Sequence, residues 1–383
     1  MKTLITDGKI VLRDSILEDA SLLITDGCIS YIGKDTPKAD AVISAEGGYV
    51  IPGFVDLHAH GGGGYDFMDA TEEAIRKAAE FHLRAGTTTL VATTLTDREE
   101  NIEAAVRAID KHIRNSTRTS VLGIHLEGPY FTPECSGAQD PMLFTPPSTE
   151  CITDMKRKYP SIIRVSLAPE AEGAEEYARV ARSLGVRLSV AHTSADFATV
   201  LRAYEWGFTT ATHLYSGMLG VTRRNAFRVA GAVEAALYLD GMVCEVIADG
   251  CHLPPELLKF IYKIKGADGI ALITDATRCA GLPDGRGVLG RSTEVIIEDG
   301  VAKMPDRQSF AGSIATMERV YKTMREATDA SLPELSRMAS LTPARAIGLT
   351  DRGEIAVGLR ADLLITNKEM NIKKVILKGE IIK

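Results

Sequence analysis

His58 and His60 stand two residues apart at the end of the apolar run Tyr49–His60, immediately before four glycines, Gly61–Gly64. On an extended strand, side chains two apart point the same way. Both imidazoles would therefore leave the strand together, beside a loop that is free to bend. Neutral imidazoles converging in this manner suit a borderline divalent metal such as zinc. Two polar histidines beside a turn would look the same locally, so the pair alone leaves metal binding open.

The rest of the chain collects further residues of the same kind. The strand-like run Val121–Glu127 ends in Glu127, Arg187–His192 in His192 and Thr209–His213 in His213. Val243–Ala248 runs into Asp249 and His252, and Ile270–Thr274 into Asp275. Phe54–His60, Thr87–Thr93 and Ile163–Ala168 bring the runs to eight. Amphipathic stretches separate most of them, among them Thr71–Ala85, Arg98–Arg114, Ala174–Leu184 and Pro255–Lys265. Eight such alternations predict an α/β fold, a (β/α)8 TIM-type barrel, whose active site forms at the C-terminal strand ends. Five of the eight histidines, with Glu127 and Asp275, land on that rim. A doubly wound sheet is the rival, but it wants a glycine-rich turn leading into a helix after the first strand. Gly61–Gly64 lacks that pattern.

The two ends of the chain read differently. Residues 1–52 are short apolar runs with Asp-Gly pairs at 7–8 and 26–27, which predict turns. Residues 354–383 are similar, and neither segment could bury a core alone. They are expected to pair into one small β-sandwich domain, with the barrel occupying 53–353. A hairpin over Ser292–Met304, turning at Asp299-Gly300, precedes a last helix near Ile314–Ala327.

Composition narrows the partners. The chain has 383 residues, 45% hydrophobic and 25% charged, as a soluble globular protein does. Its net charge of −7, with no block of Lys or Arg, argues against nucleic acid or an anionic membrane surface. Met1–Gly8 holds no signal-peptide core, and no apolar run reaches membrane-spanning length. Six cysteines without a C-x-x-C pair point to reduced thiols and a cytoplasmic protein.

The other histidines have plainer readings. His82 and His112 fall in helices and are expected to be solvated. His125 shares a strand face with Glu127, as an orienting partner for a ligand or as a packed inward residue. No serine or cysteine stands beside a base as an activated nucleophile, so the attacking group should be water activated by metal.

At these residues the chain resembles the N-acetylglucosamine-6-phosphate deacetylase family of the amidohydrolase superfamily. The resemblance spans essentially the whole length: Pro52–His60, His125–Pro129, Ala191–Thr193, Thr212–Tyr215, Ile247–His252, Ile273–Ala276, Ala311–Ser313 and Thr342–Gly348. It implies that Glu127, His192 and His213 hold one divalent metal, and that His58 and His60 hold a second with Glu127 bridging. Zinc is the first choice; iron, manganese or cobalt accept the same ligands. Ring-amide hydrolases such as dihydroorotases usually bridge two metals with a carboxylated lysine at the end of strand 4. Arg164–Glu170 offers no lysine there.

The implied reaction is hydrolysis of the acetamide of N-acetyl-D-glucosamine 6-phosphate, with Asp275 moving the proton from water to the leaving amine. The resemblance assigns the substrate's phosphate and sugar to Arg224, His252, Gln139 and backbone N–H groups near Ser216-Gly217. It also implies a homodimer that completes the phosphate site across its interface. Three positions depart from the family: Leu214–Met218 lacks an Asn-Ala before the methionine, Asn225–Phe227 replaces Glu-Pro-Gly, and Gln139 replaces a common histidine. All three lie on the substrate side. The alternatives are therefore another N-acyl amino-sugar phosphate, such as the galactosamine epimer, and a non-catalytic sugar-phosphate sensor.

Overall fold

The computed structural model describes residues 1–383. The eight expected runs form parallel strands, labelled β1 (Phe54–Ala59), β2 (Thr87–Thr93), β3 (Val121–Glu127), β4 (Ile162–Leu167), β5 (Arg187–Val190), β6 (Phe208–Ala211), β7 (Val243–Val246) and β8 (Ile270–Leu272). Each pairs with its neighbour in chain order. The seam between β8 and β1 is closed by a parallel bridge between Ala59 and Ala276. Across it, Asp275 N–H donates to the His58 carbonyl at 2.9 Å and His60 N–H to the Ala276 carbonyl at 2.7 Å. The result is a (β/α)8 barrel. Every residue of β1 and β2 is buried, as parallel strands filled inside and covered by helices outside require.

Local sequence explains the outer ring. Helix Glu72–Arg84 starts at Thr71, whose hydroxyl accepts the Ala74 N–H at 3.2 Å. Its stripe of Ile75, Ala78, Ala79 and Leu83 faces the core. That core is one cluster of 75 buried apolar residues.

The terminal segments join in one eight-stranded sheet built from both ends of the chain. The junction is antiparallel, Tyr49–Pro52 against Leu363–Thr366. A separate core of 14 buried residues, including Ile5, Leu22, Val50 and Ile365, lies under it. Asp26-Gly27 turns as expected, with φ of 49° and 83°. Asp7-Gly8 does not: it is a bulge inside the continuous strand Lys2–Val11, where the register shifts between Ile5 and Gly8. Glycine is needed there because Ala45 packs against it; a Cβ on Gly8 would sit 2.7 Å from the Ala45 Cβ. The insertion turns at Asp299-Gly300 and gains a third strand, Gly285–Leu289, that its composition did not announce.

His82 and His112 are buried, not solvated. His82 falls four residues after Ala78 and seven after Ile75, on the core-facing stripe. Its Nε2 donates to the Gly61 carbonyl at 2.8 Å, and its Nδ1 has no partner. His112 Nε2 meets the Thr119 hydroxyl at 3.0 Å. Burial pushes the His82 imidazole down to about 4, because protonation would put a second N–H against no acceptor. The unfolded chain takes up this proton near pH 6.5. Stability is therefore fully present above that value and is lost as the pH falls towards 4, by up to about 3 kcal/mol from this group. His82→Gln, which keeps a donor for Gly61, should flatten the pH dependence of urea midpoints across that window. An unchanged slope would sink this account.

Candidate active site

The barrel rim brings the five expected ligands to one point. Glu127 is central: its Oε1 lies 2.9 Å from His213 Nε2, 3.4 Å from His58 Nε2 and 3.5 Å from His192 Nε2. Its Oε2 lies 3.4 Å from His60 Nε2. All five side chains are buried. Two groups that share Glu127 result, His58–His60–Glu127 and Glu127–His192–His213, each with ligand atoms within 4.8 Å of one another. His58 and His60 face each other Nε2 to Nε2 at 3.2 Å, where only one neutral imidazole can donate. The His60 Nδ1 is buried with no partner. Imidazole and carboxylate lone pairs that converge like this fit a divalent cation.

Partners on the far side of the rings select the nitrogen that faces the cluster. His192 Nδ1 donates to the Cys135 carbonyl at 2.8 Å, and His213 Nδ1 to the Ser216 carbonyl at 3.1 Å. His58 Nδ1 faces Glu245 Oε2 at 3.3 Å. Gln139 donates to Glu127 Oε2 at 2.9 Å and accepts the Thr96 N–H at 3.0 Å. His125 takes no part in the cluster; its Nε2 meets the Ser166 hydroxyl at 2.6 Å.

Three of the site residues have left-handed backbones: His192 (φ 43°), His213 (φ 30°) and Asp275 (φ 48°). Each stands just past the end of its strand, where the kink stops the ladder and turns the side chain over the barrel mouth. Such backbones cost about 1–3 kcal/mol each and persist only where the surroundings over-determine them. Asp275 Oδ1 thereby comes within 3.2 Å of His60 Nε2 and 3.4 Å of His58 Nε2. Behind it, buried Asp56 accepts the Thr274 hydroxyl at 2.5 Å and pins β8 to β1.

A cavity of about 220 Å³ opens over the cluster, and Gln139, Ser216, Gly217 and His252 line it with the ligands and Asp275. His252 Nδ1 bonds Asp249 Oδ2 at 2.8 Å. The Ser216 N–H is taken by the His213 carbonyl at 2.9 Å, so of that pair Gly217 has the available backbone donor. Arg224 is not in this wall. It sits on an exposed hairpin, Thr222–Arg224 against Phe227–Val229. A larger groove of about 1130 Å³, between helices Ala174–Ser183 and Phe197–Trp206, lies away from the cluster. Sequence reasoning missed Leu95, Leu289 and Phe310, apolar wall residues that carry no chemical signature. It also missed Glu245, whose signal was a lone carboxylate inside the apolar run Val243–Ala248.

Without a cation the cluster balances its own charges. Burial opposes charge on His60, but Asp275 and Glu127 outweigh it and lift the imidazole to about 9. Burial likewise opposes charge on His58, and Glu127 and Asp275 raise it well above its ordinary value. Glu127 is held well below the usual carboxylate range, with burial opposing and His58 the foremost opposite charge. A metal must displace these protons. Uptake at neutral pH should therefore release protons into unbuffered solution, and affinity should fall as the pH falls below about 9. A pH-stat titration showing metal bound with no proton released would contradict this.

The Amidohydrolase family matches over residues 49–382, and the chain belongs to it. It is 33% identical to the N-acetylglucosamine-6-phosphate deacetylase of Bacillus subtilis, covering 99% of this chain and 96% of that one. It is 31% identical to the N-acetylgalactosamine-6-phosphate deacetylase of Escherichia coli O157:H7, covering 97% of each. Among solved structures, an N-acetyl-D-glucosamine-6-phosphate deacetylase variant from Mycobacterium smegmatis, in complex with N-acetyl-D-glucosamine-6-phosphate, superposes with a TM-score of 0.91. That match is 30% identical and covers 99% of both chains.

Proposed function

We propose that the chain hydrolyses the acetamide of N-acetyl-D-glucosamine 6-phosphate, giving D-glucosamine 6-phosphate and acetate in amino-sugar catabolism. The observation that carries this reading is the Asp275 carboxylate beside two imidazoles of a metal-ready cluster, under a cavity with a polar rim. Similarity to amino-sugar-phosphate deacetylases over nearly the full chain supports the substrate.

Glu127, His192 and His213 would hold one divalent metal, and His58 and His60, with Glu127 shared, a second. Zinc is our first choice among zinc, iron, manganese and cobalt. When bound, the metal supplies polarisation of the acetyl oxygen and lowers the pKa of water to about 7. Burial opposes charge on Asp275, but in the metal-free cluster the protonated His58 and His60 hold its carboxyl below the ordinary value; a bound divalent cation would favour the ionised, proton-accepting form in their place. Asp275 takes a proton from water as the water oxygen bonds the acyl carbon. It then gives that proton to the nitrogen as the C–N bond breaks, because an amine leaves far better once protonated. Gln139, His252 and the Gly217 N–H are placed to orient the sugar. Asp275→Asn should keep metal and fold while turnover drops about 10²–10⁴-fold. Near-normal acetate release from that variant would overturn the assignment.

The galactosamine epimer is a second reading, favoured by the E. coli relative and by Gln139, Ser216-Gly217 and Asn225–Phe227 on the substrate side. Acetate release from both 6-phosphates decides between them. Preference for the galacto epimer replaces the first reading, and binding without release from any sugar would mark a sensor.

A homodimer belongs to this reading. Arg224 stands outside its own cavity, and the neighbouring Phe227 is 77% exposed. Both features support a hairpin that reaches a partner's phosphate site, where the guanidinium fork suits the anion. Mixing Arg224→Ala with Asp275→Asn protein should restore activity, because the mixed dimer holds one intact site. No restoration would rule out sharing. We keep the small domain at 1–52 plus 354–383 and the barrel at 53–353. No helix is long and apolar enough to cross a membrane, and six free cysteines support a reducing, cytoplasmic setting.

A further inference from the structure

Below the cluster, inside the barrel, lies a buried ion pair that the reaction leaves without a role. Glu245 projects from β7 and Arg164 from β4; both are buried, and their charged groups are in direct contact. Arg164 also donates to the Leu57 carbonyl at 3.3 Å and to the Ser189 hydroxyl at 2.9 Å. Glu245 Oε2 faces His58 Nδ1 at 3.3 Å and accepts the His213 backbone N–H at 3.4 Å. Taking two charges out of water is costly, and apolar side chains of similar volume often serve stability as well or better. A pair placed here is explained by what it holds.

The four cluster histidines are held differently. His192 and His213 rest on backbone carbonyls, and the His60 Nδ1 has no partner. His58 alone is backed by a carboxylate. A carboxylate behind an imidazole fixes the Nδ1–H tautomer, aims the Nε2 lone pair and makes that nitrogen a stronger donor. Arg164 compensates the carboxylate's charge and anchors the strand residue beside His58 through the Leu57 carbonyl.

We propose that Glu245 and Arg164 are positioning residues for the second metal. Glu245 holds the His58 ring so that Nε2 faces the position shared with His60 and Glu127, and Arg164 holds Glu245. This rests on the metal reading above. Affinity at the His58–His60 position is then set from inside the barrel, which offsets the missing hold on His60.

Equilibrium dialysis of zinc tests this on Glu245→Gln and on the double variant Arg164→Met with Glu245→Met. The double variant leaves no unpaired buried charge, the usual cause of misfolding at such a site. Unsubstituted protein should take up two equivalents, and both variants should lose about 10–100-fold in affinity for one of them. Cadmium-to-nitrogen couplings identify the site: in the variants they should vanish at His58 and His60 and persist at His192 and His213. Unchanged affinities, or equal weakening of both equivalents, overturn the proposal. So does a single equivalent in unsubstituted protein under metal excess. Protein that takes up no metal at all would instead overturn the metal reading. In the unsubstituted, cadmium-loaded protein the coupling at His58 should be to Nε2; a coupling to Nδ1 overturns the proposal without recourse to any variant.

Discussion

Four imidazoles and two carboxylates share one small volume at the mouth of the barrel, and Glu127 is the group that makes this arrangement tolerable. Its two oxygens face different histidines, Oε1 towards His58, His192 and His213 and Oε2 towards His60. A buried carboxylate without compensation costs several kcal/mol. The histidines supply that compensation when protonated, and a divalent metal supplies it better. One carboxylate with two usable oxygens is therefore shared by both histidine pairs, His58 with His60 and His192 with His213. Gln139, donating to Oε2, fixes the orientation of the carboxylate plane.

The scaffold delivers these groups by a division of labour. His58 and Glu127 stand within their strands, and His60, His192, His213 and Asp275 stand just past theirs, three of these four on kinks. Left-handed backbones at His192, His213 and Asp275 are local costs that persist only where the surroundings over-determine them. They are over-determined by the seam from β8 to β1 and by loop anchors. Glu170, just beyond β4, is one such anchor: it accepts from the Thr132 and Thr193 hydroxyls at 2.5 Å each and from the Ser194 N–H at 2.6 Å. The loop after β3 and the loop after His192 are thus tied to one side chain. The chain just beyond β4 is thus used for structure.

The architecture and the gathering of these side chains at one point were legible because both obey strict periods. Eight alternations of strand and helix define the barrel, and strand ends in such a barrel are where chemistry collects. His58, His60, Glu127, His192, His213 and Asp275 could be named from position alone. What could not be read depends on contacts between segments distant in the chain. Glu245 and His58 are 187 residues apart, and nothing in either neighbourhood announces the other. His82 looked solvated because it is polar, although its spacing from Ile75 and Ala78 already placed it on the buried stripe. Asp7-Gly8 looked like a turn because its chemistry suits one, yet Ala45 packing against Gly8 turns the same residues into a bulge.

The separation between strands and loops also bears on substrate choice. The five cluster side chains and Asp275 stand on the strand ends or one kink beyond them, where the backbone is tied into the barrel. Gln139, Ser216-Gly217 and Arg224 stand on loops and on an exposed hairpin, where the chain tolerates change. A substitution at Ser216, Gly217 or Arg224 can change what lines the cavity or the hairpin without moving the strands, whereas Gln139 also donates to Glu127 and so bears on the cluster itself. The departures from the deacetylase pattern at Gln139, Leu214–Met218 and Asn225–Phe227 all fall on this second set. The strand ends therefore bear on the bond that is broken, and the loops and the hairpin on the sugar epimer that carries it.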